Sequence, residues 1–358
     1  MKTSSCNPFG AFIKALVVHA RKNGVPPDVI FERAEKCGIL PYLMFALNRG
    51  DIDHDMCGLT ESEFNERIAE FRAMQTARVM LWKTTFVRVT QVIDCPFILL
   101  KGAPLGAVLT GDARWRATSD VDLWLPDFET ANAAVKRLES IGYRLEPDNR
   151  IYAKNQFLLM HSMLVPVEIH WKLVPPPWQA PSFMNALARH ATFSWQGLDI
   201  PVLGNDDLAV HLVLHAHQHF FALKTVLDFA LAQNVLDVNP RVWRKFRISG
   251  IHRLLEDMVW AFCPTELPVS DLAVCKLASI WFEGMLGDSH RGELVFGRDS
   301  SVIAALGVVI RALSMIAMDG SVYPAMAAGH VLFKGPHRIG YAIFCIENRV
   351  RMWRLNKK

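Results

Sequence analysis

The sequence predicts an α/β protein of the α+β kind: a small mixed sheet carried between two mainly helical lobes. Three changes of texture along the chain lead there. Residues 1–93 repeat apolar side chains at helical spacing, residues 94–203 alternate short apolar strands with helices, and residues 204–358 return to helical spacing. With 358 residues, 51% apolar and 21% charged, the chain has ample material for a packed core, which excludes disorder as its dominant state.

Charge and cysteine content narrow the class further. The formal net charge is +4, from 39 Lys and Arg against 35 Asp and Glu, too small and too spread out to mark a nucleic-acid binder. Seven cysteines (Cys6, Cys37, Cys57, Cys95, Cys263, Cys275 and Cys345) make an odd set without a CxxC. That excludes a disulfide framework or zinc ribbon and fits a reducing compartment. No apolar run follows Lys2, so secretion is not expected. The segment Val302–Met318 is interrupted by Gly307 and carries Arg311 at its middle, so it reads as a buried helix rather than a membrane span. The expectation is a cytoplasmic protein with no membrane contact.

In the N-terminal lobe, Phe12, Ile13, Leu16, Val17 and Ala20 share one helix face across Phe9–Lys22. Pro26 and Pro27 open a second helix that runs to Cys37. Thr60 followed by Glu63 reads as a capping box before a long helix to about Val92. Nothing in this lobe has the chemistry of a reaction site. In the core, Phe97–Leu100 is a short strand that stops at Lys101-Gly102, and Ala103–Thr110 is a short helix. Val121–Leu125 is a second strand closed by Pro126, and Phe128–Ile141 is a helix ended by Gly142. Gln156–Met160 and Leu164–Val174 read as strands paired around His161-Ser162, and Pro175–Pro177 ends the pattern. Past Gly204 the chain is mainly helical, and its tail, Arg349–Lys358, holds five basic residues and no acid. That tail is either a solvated terminal helix or a contact for an anionic partner.

The chemistry concentrates between Lys101 and Trp124. Asp120 and Asp122 lie two apart at the start of a strand, so both carboxylates leave the same face while Val121, Leu123 and Leu125 face the core. Two carboxylates so placed repel unless a cation stands between them, and Mg²⁺ with its preference for oxygen suits the gap.

Read together, these residues resemble the DNA polymerase β-type nucleotidyltransferase superfamily, and within it the bacterial "uncharacterised nucleotidyltransferase" family. The resemblance is carried by Leu100-Lys101-Gly102-Ala103, by Arg116-Ala117-Thr118-Ser119-Asp120-Val121-Asp122, by Val167-Glu168-Ile169-His170-Trp171, and by a helix from His211 to His219 running on to Lys224 and Asp228. It spans about residues 95–235. It implies a nucleotidyltransferase core with Asp120, Asp122 and Glu168 as the catalytic and metal-binding carboxylates, the third of them assisting removal of the acceptor proton. It implies a divalent cofactor, Mg²⁺ or alternatively Mn²⁺, and an NTP as substrate. Lys101, Gly102, Arg116, Ser119, His170, Lys224 and Asp228 form the nucleotide-binding set that goes with it. Gly102 would admit phosphate to backbone N–H groups, and Lys101 and Arg116 would neutralise triphosphate charge. Glu168 stands where aspartate is commoner in the family, and an exposed strand glutamate is its plain alternative. His170 either orders that carboxylate, touches substrate or is structural; Lys224 and Asp228 either bind substrate or pair on a helix surface.

His211, His215 and His219 recur at i, i+4 and i+8, a stripe that drifts about 40° per step. It lacks the glutamate of an H-E-x-x-H site, so packing or nucleotide contact is expected over zinc. No GxxxxGK[ST], GxGxxG after a strand, or GxSxG occurs, so kinase, dehydrogenase and hydrolase readings have no footing. The expected activity is Mg²⁺-dependent transfer of an NMP from an NTP to an acceptor, with release of pyrophosphate. The acceptor class stays open among protein, RNA and small molecule. The alternative is an idle nucleotide-binding or scaffolding protein on the same fold.

Overall fold

The computed structural model describes residues 7–260 apart from residues 23, 117, 147–154, 175–178 and 219–222. The 302–318 segment, the basic tail, His219 and the three cysteines beyond residue 260 lie outside the described residues, as does the Pro175–Pro177 stop.

The first four helices are α1 (Pro8–Lys22), α2 (Pro27–Lys36), α3 (Leu40–Arg49) and α4 (Glu61–Val92). The capping box forms at the start of α4: Glu63 N–H donates to Thr60 Oγ1 at 3.3 Å and Thr60 N–H donates to Glu63 Oε2 at 2.8 Å. Helix α3 was not expected as a separate element. It begins beyond Gly38, a left-handed residue at φ 68°, and ends on Gly50 at φ 75°.

The core strands and helices then alternate as β1 (Ile98–Leu99), α5 (Ala103–Thr110), β2 (Val121–Trp124), α6 (Phe128–Ser140), β3 (Arg144–Leu145), β4 (Gln156–Met160), β5 (Val167–His170), α7 (Phe183–Leu187), β6 (Ala191–Trp195) and β7 (Leu198–Val202). They form one mixed seven-stranded sheet in the order β3-β4-β5-β2-β1-β7-β6. The pair β4–β5 is antiparallel, as the sequence predicts, whereas β2 runs parallel to β5 and β1 parallel to β7. The hairpin β6–β7 and the two-residue β3 were not anticipated. Most of β6 is exposed, so it carries no apolar alternation, and its turn uses Gln196 at φ 48° and Gly197 at φ 81°, the left-handed pair that matches strand twist.

The two faces of the sheet divide the labour. Val121, Leu123, Val167 and Ile169 point to one side and pack with Val79, Trp82, Phe86 and Val89 of α4 and Ala131, Ala134 and Leu138 of α6. Burying such side chains stabilises each by about 1.5–3 kcal/mol, and it fixes the register, since a one-residue slip would bring the carboxylates into this core. The opposite face carries Asp122, Trp124, Glu168 and His170. Against it lie α8 (Asn205–Gln218) and α9 (Leu223–Val235), followed by α10 (Arg241–Lys245) and α11 (Ser249–Trp260). Helices from before and after the sheet share one apolar cluster, in which Phe9, Ile13 and Tyr42 join Val213, Leu227 and Leu255. No helix among the described residues is long and apolar enough to cross a membrane.

Candidate active site

Register brings the carboxylates together. In the β2–β5 ladder Asp122 pairs with Glu168 and Trp124 with His170, so both residues of β5 stand on the face that Asp122 occupies. Asp120 precedes β2 by one residue on the same alternation. Leu100 N–H donates to Asp122 O at 3.0 Å, so the chain leaves β1 level with Asp122 and delivers Lys101 beside it.

Lys101 Nζ lies 2.9 Å from Asp122 Oδ1 and 3.3 Å from His215 Nε2. His170 Nε2 lies 3.4 Å from the same Asp122 oxygen and 3.3 Å from Glu168 Oε2, which also accepts from Gln156 Nε2 at 3.3 Å. Donor atoms of Asp122, Glu168 and His170 all fall within 4.8 Å of one another. Asp122 is fully buried, and its Oδ2 has no hydrogen-bond partner among the described residues. A buried carboxylate oxygen without a donor is costly, so the donor set and the orphaned atom together fit a divalent cation.

The environment separates the two aspartates. Burial raises the Asp122 carboxyl, but the Lys101 charge and the His170 hydrogen bond overcome it and hold the group far below the usual carboxylate range. For Asp120, burial and the Asp122 charge outweigh the opposing Lys101 and Lys224 charges and push it up to about 6. For Lys101, burial works against the ammonium, yet the charges of Asp122, Asp120 and Glu168 raise its pKa. His170 follows the same logic, burial opposed and outweighed by hydrogen bonds to Asp122 and Glu168, and its pKa rises. Burial brings Lys224 down to about 8, with the Arg116 charge adding to the effect.

Gly102 sits at φ 88°, where a side chain is strained, and a Cβ there would meet Trp82 Cζ2 at 2.8 Å. The tryptophan behind this turn therefore requires glycine there. Trp82 Nε1–H also donates to Asp120 O at 2.7 Å, so one buried ring of α4 braces both the turn and the first aspartate.

Arg116 and Asp228 were expected among the nucleotide contacts, and the structure turns them toward each other. Arg116 Nε and Nη2 donate to the two Asp228 oxygens at 2.8 and 2.9 Å, and Tyr42 OH donates to Asp228 as well. Both charged groups are buried, so this triad of α3, the β2 approach and α9 works as a clasp between lobe and core. The surface-pair alternative for Lys224 and Asp228 does not hold either, since Asp228 is 1% exposed. Ser119, next to Asp120 in the chain, is exposed. His211 is buried with both ring nitrogens unpartnered among the described residues, its ring 5.5 Å from that of His215, and no metal cluster forms on this stripe there.

Sequence reasoning missed Trp82 and Tyr42, having assigned the first ninety residues no part in the site, and it missed Gln156. A tryptophan on an amphipathic helix carries no signal of the loop it will brace. Gln156 was within reach, being a polar residue on a strand read as the neighbour of Glu168.

A glycine turn into a short helix, acids at alternate positions of a strand, and a further acid opposite them on the next strand define a protein of the nucleotidyltransferase class. The profile of the family described as "Uncharacterised nucleotidyltransferase" matches residues 24–261, and the chain belongs to that family. No curated protein and no solved structure gives a match.

Proposed function

We propose that the protein transfers an NMP from an NTP to a hydroxyl or phosphate acceptor and releases pyrophosphate, using the core at residues 94–203. The observation that carries this reading is the pairing of Asp122 with Glu168 on adjacent parallel strands, with Asp120 two residues ahead. A divalent cation held there, Mg²⁺ or Mn²⁺, would supply charge neutralisation at the triphosphate. Asp120 and Asp122 are the residues to hold it, together with Glu168. Lys101 keeps a fixed positive charge at the base of the site, where the phosphates would lie. Glu168, a fifth exposed and oriented by Gln156 and His170, faces the acceptor side and takes the hydroxyl proton. The acceptor oxygen then bonds to the α-phosphorus as the bond to the pyrophosphate oxygen breaks. Ser119, next to Asp120 in the chain, and Lys224, whose charge acts on Asp120, would complete the nucleotide contacts. The acceptor is a protein side chain, an RNA end or a small molecule.

Incubating the full chain with each labelled NTP and either Mg²⁺ or Mn²⁺ tests this reading. Pyrophosphate release or self-labelling is expected, and its absence with every acceptor mixture would sink it. One feature favours an idle nucleotide-binding protein instead: the Lys101 ammonium already neutralises Asp122 at 2.9 Å. NTP binding without turnover would select that alternative.

A further inference from the structure

We propose that His170 Nε2 is itself a metal ligand, joining Asp122 and Glu168 in a mixed nitrogen–oxygen set that selects a transition-metal dication such as Mn²⁺ over Mg²⁺. The proposal rests on the reading of this cleft as a nucleotidyl-transfer site and specifies which cation that site takes.

The distances argue for it first. His170 Nε2 stands 3.3 Å from Glu168 Oε2 and 3.4 Å from Asp122 Oδ1, hydrogen bonds at the long end of the range, whose commonest length is about 2.9 Å. Nitrogen and oxygen ligands about 2.1 Å from a shared ion stand roughly 3.0–3.4 Å apart along the edges of its coordination shell. Both His170 separations match that spacing, Asp122 Oδ1 being the oxygen that Lys101 also approaches, and donor atoms of all three side chains lie within 4.8 Å of one another.

Position argues next. All three donors project from the paired strands β2 and β5, and His170 follows Glu168 by two residues on one face, so the set is fixed by the ladder rather than by loops. His170 is 6% exposed and Asp122 fully buried, which removes competing water. Lys101 engages Asp122 Oδ1 and leaves Oδ2 without a donor, so one oxygen stays open to an ion. Gln156 Nε2 holds Glu168 Oε2 from the neighbouring strand, the kind of outer contact that keeps a ligating carboxylate in place.

Chemistry makes the selection. Mg²⁺ demands oxygen donors and near-octahedral geometry, whereas imidazole suits the later first-row ions, and Mn²⁺ accepts nitrogen and carboxylate together.

The test is pulsed EPR on the full chain loaded with Mn²⁺, read for ¹⁴N modulation, with Mn²⁺ and Mg²⁺ affinities measured by titration. The wild-type protein is expected to show nitrogen coupling that changes to the ¹⁵N pattern when histidine alone is ¹⁵N-labelled. His170→Gln should lose the coupling and weaken Mn²⁺ binding by about 10- to 100-fold, with Mg²⁺ binding altered by less than about threefold. Should that variant fail to fold, His170→Asn takes its place, and His215→Gln, which should keep the coupling, distinguishes the neighbouring imidazole. Absent coupling, coupling that survives in His170→Gln, or equal binding of the two ions overturns the proposal, as does failure to bind Mn²⁺. Pyrophosphate release assayed on the same samples separates the two readings. Transfer without coupling removes His170 alone, and coupling without transfer supports the ligand assignment while counting against nucleotidyl transfer.

Discussion

Arg116 and Asp228, 112 residues apart in the chain, hold each other through two parallel hydrogen bonds of 2.8 and 2.9 Å in a fully buried setting. The guanidinium fork matches the carboxylate, and the Tyr42 hydroxyl adds a third donor to the same group. Truncating one member strands the other: Asp228→Ala is expected to destabilise the fold by about 3–5 kcal/mol, measured by urea unfolding. A double change, Arg116→Met with Asp228→Leu, should recover most of that loss, because no buried charge is left unpaired.

Asp120, just before β2, and Asp122 within it should respond in opposite ways to removal of charge. Asp120→Asn relieves a carboxylate whose pKa is pushed up to about 6 by burial and by Asp122, so melting without metal should stay level or rise. Nucleotidyl transfer should fall at least about 10²–10³-fold. Asp122→Asn takes away the counter-charge of Lys101 and is expected to lower stability by about 3 kcal/mol as well as to abolish transfer. Calorimetry beside a pyrophosphate assay reads both halves, and equal melting shifts for the two variants would contradict the assignment.

Gly102→Ala puts a methyl group where Trp82 Cζ2 is 2.8 Å away and forces a side chain onto φ 88°. A loss of about 2–4 kcal/mol is expected from the two effects together. Adding Trp82→Leu should relieve the clash but not the backbone strain, so the double variant should melt between the two extremes of a cavity and a clash rather than return to the wild-type temperature.

His211 contributes acid sensitivity. Burial, with the Lys101 and His170 charges behind it, brings its pKa down to about 3 from an ordinary 6.5. Between those values the unfolded chain binds a proton that the folded chain refuses, so stability falls as pH drops from about 6.5 to 3. His211→Leu removes both the titration and two unpartnered ring nitrogens. Its unfolding free energy should rise by about 1 kcal/mol at pH 7 and lose part of its slope below pH 6.5 in urea titrations across that range.

What the sequence could reveal follows from the reach of each interaction. The alternation Asp120, Val121, Asp122, Leu123 announces a strand with one acidic and one apolar face, because a strand's period of two is a local property. The same holds for the strand expected over Leu164–Val174, which forms over the shorter Val167–His170, and for the Thr60 capping box, which forms where expected. Arg116 and Asp228 could be named as charged residues of interest, but not paired, since nothing local in either segment encodes a partner more than a hundred residues away. Trp82 and Tyr42 read as ordinary core aromatics of amphipathic helices, and only the tertiary fold gives the indole N–H and the phenol their acceptors. The hairpin β6–β7 stayed hidden because its outer strand is exposed and lacks the apolar pattern by which a strand is recognised.

The brace from Trp82 and the clasp on Asp228 bear on how freely this protein's parts can be exchanged. The ring that shapes the Gly102 turn belongs to α4, before the sheet begins, and the counter-charge for Arg116 belongs to α9, after the sheet ends. A fragment cut at residues 94 and 203 would keep all seven strands and every carboxylate of the cleft. It would still lose the tryptophan behind its turn and carry an arginine with no anion. The sheet and the working site are therefore different units of inheritance. A recombinant that grafts foreign helices onto this core must import an indole at the turn, together with a carboxylate and a phenol for Arg116, as a matched set.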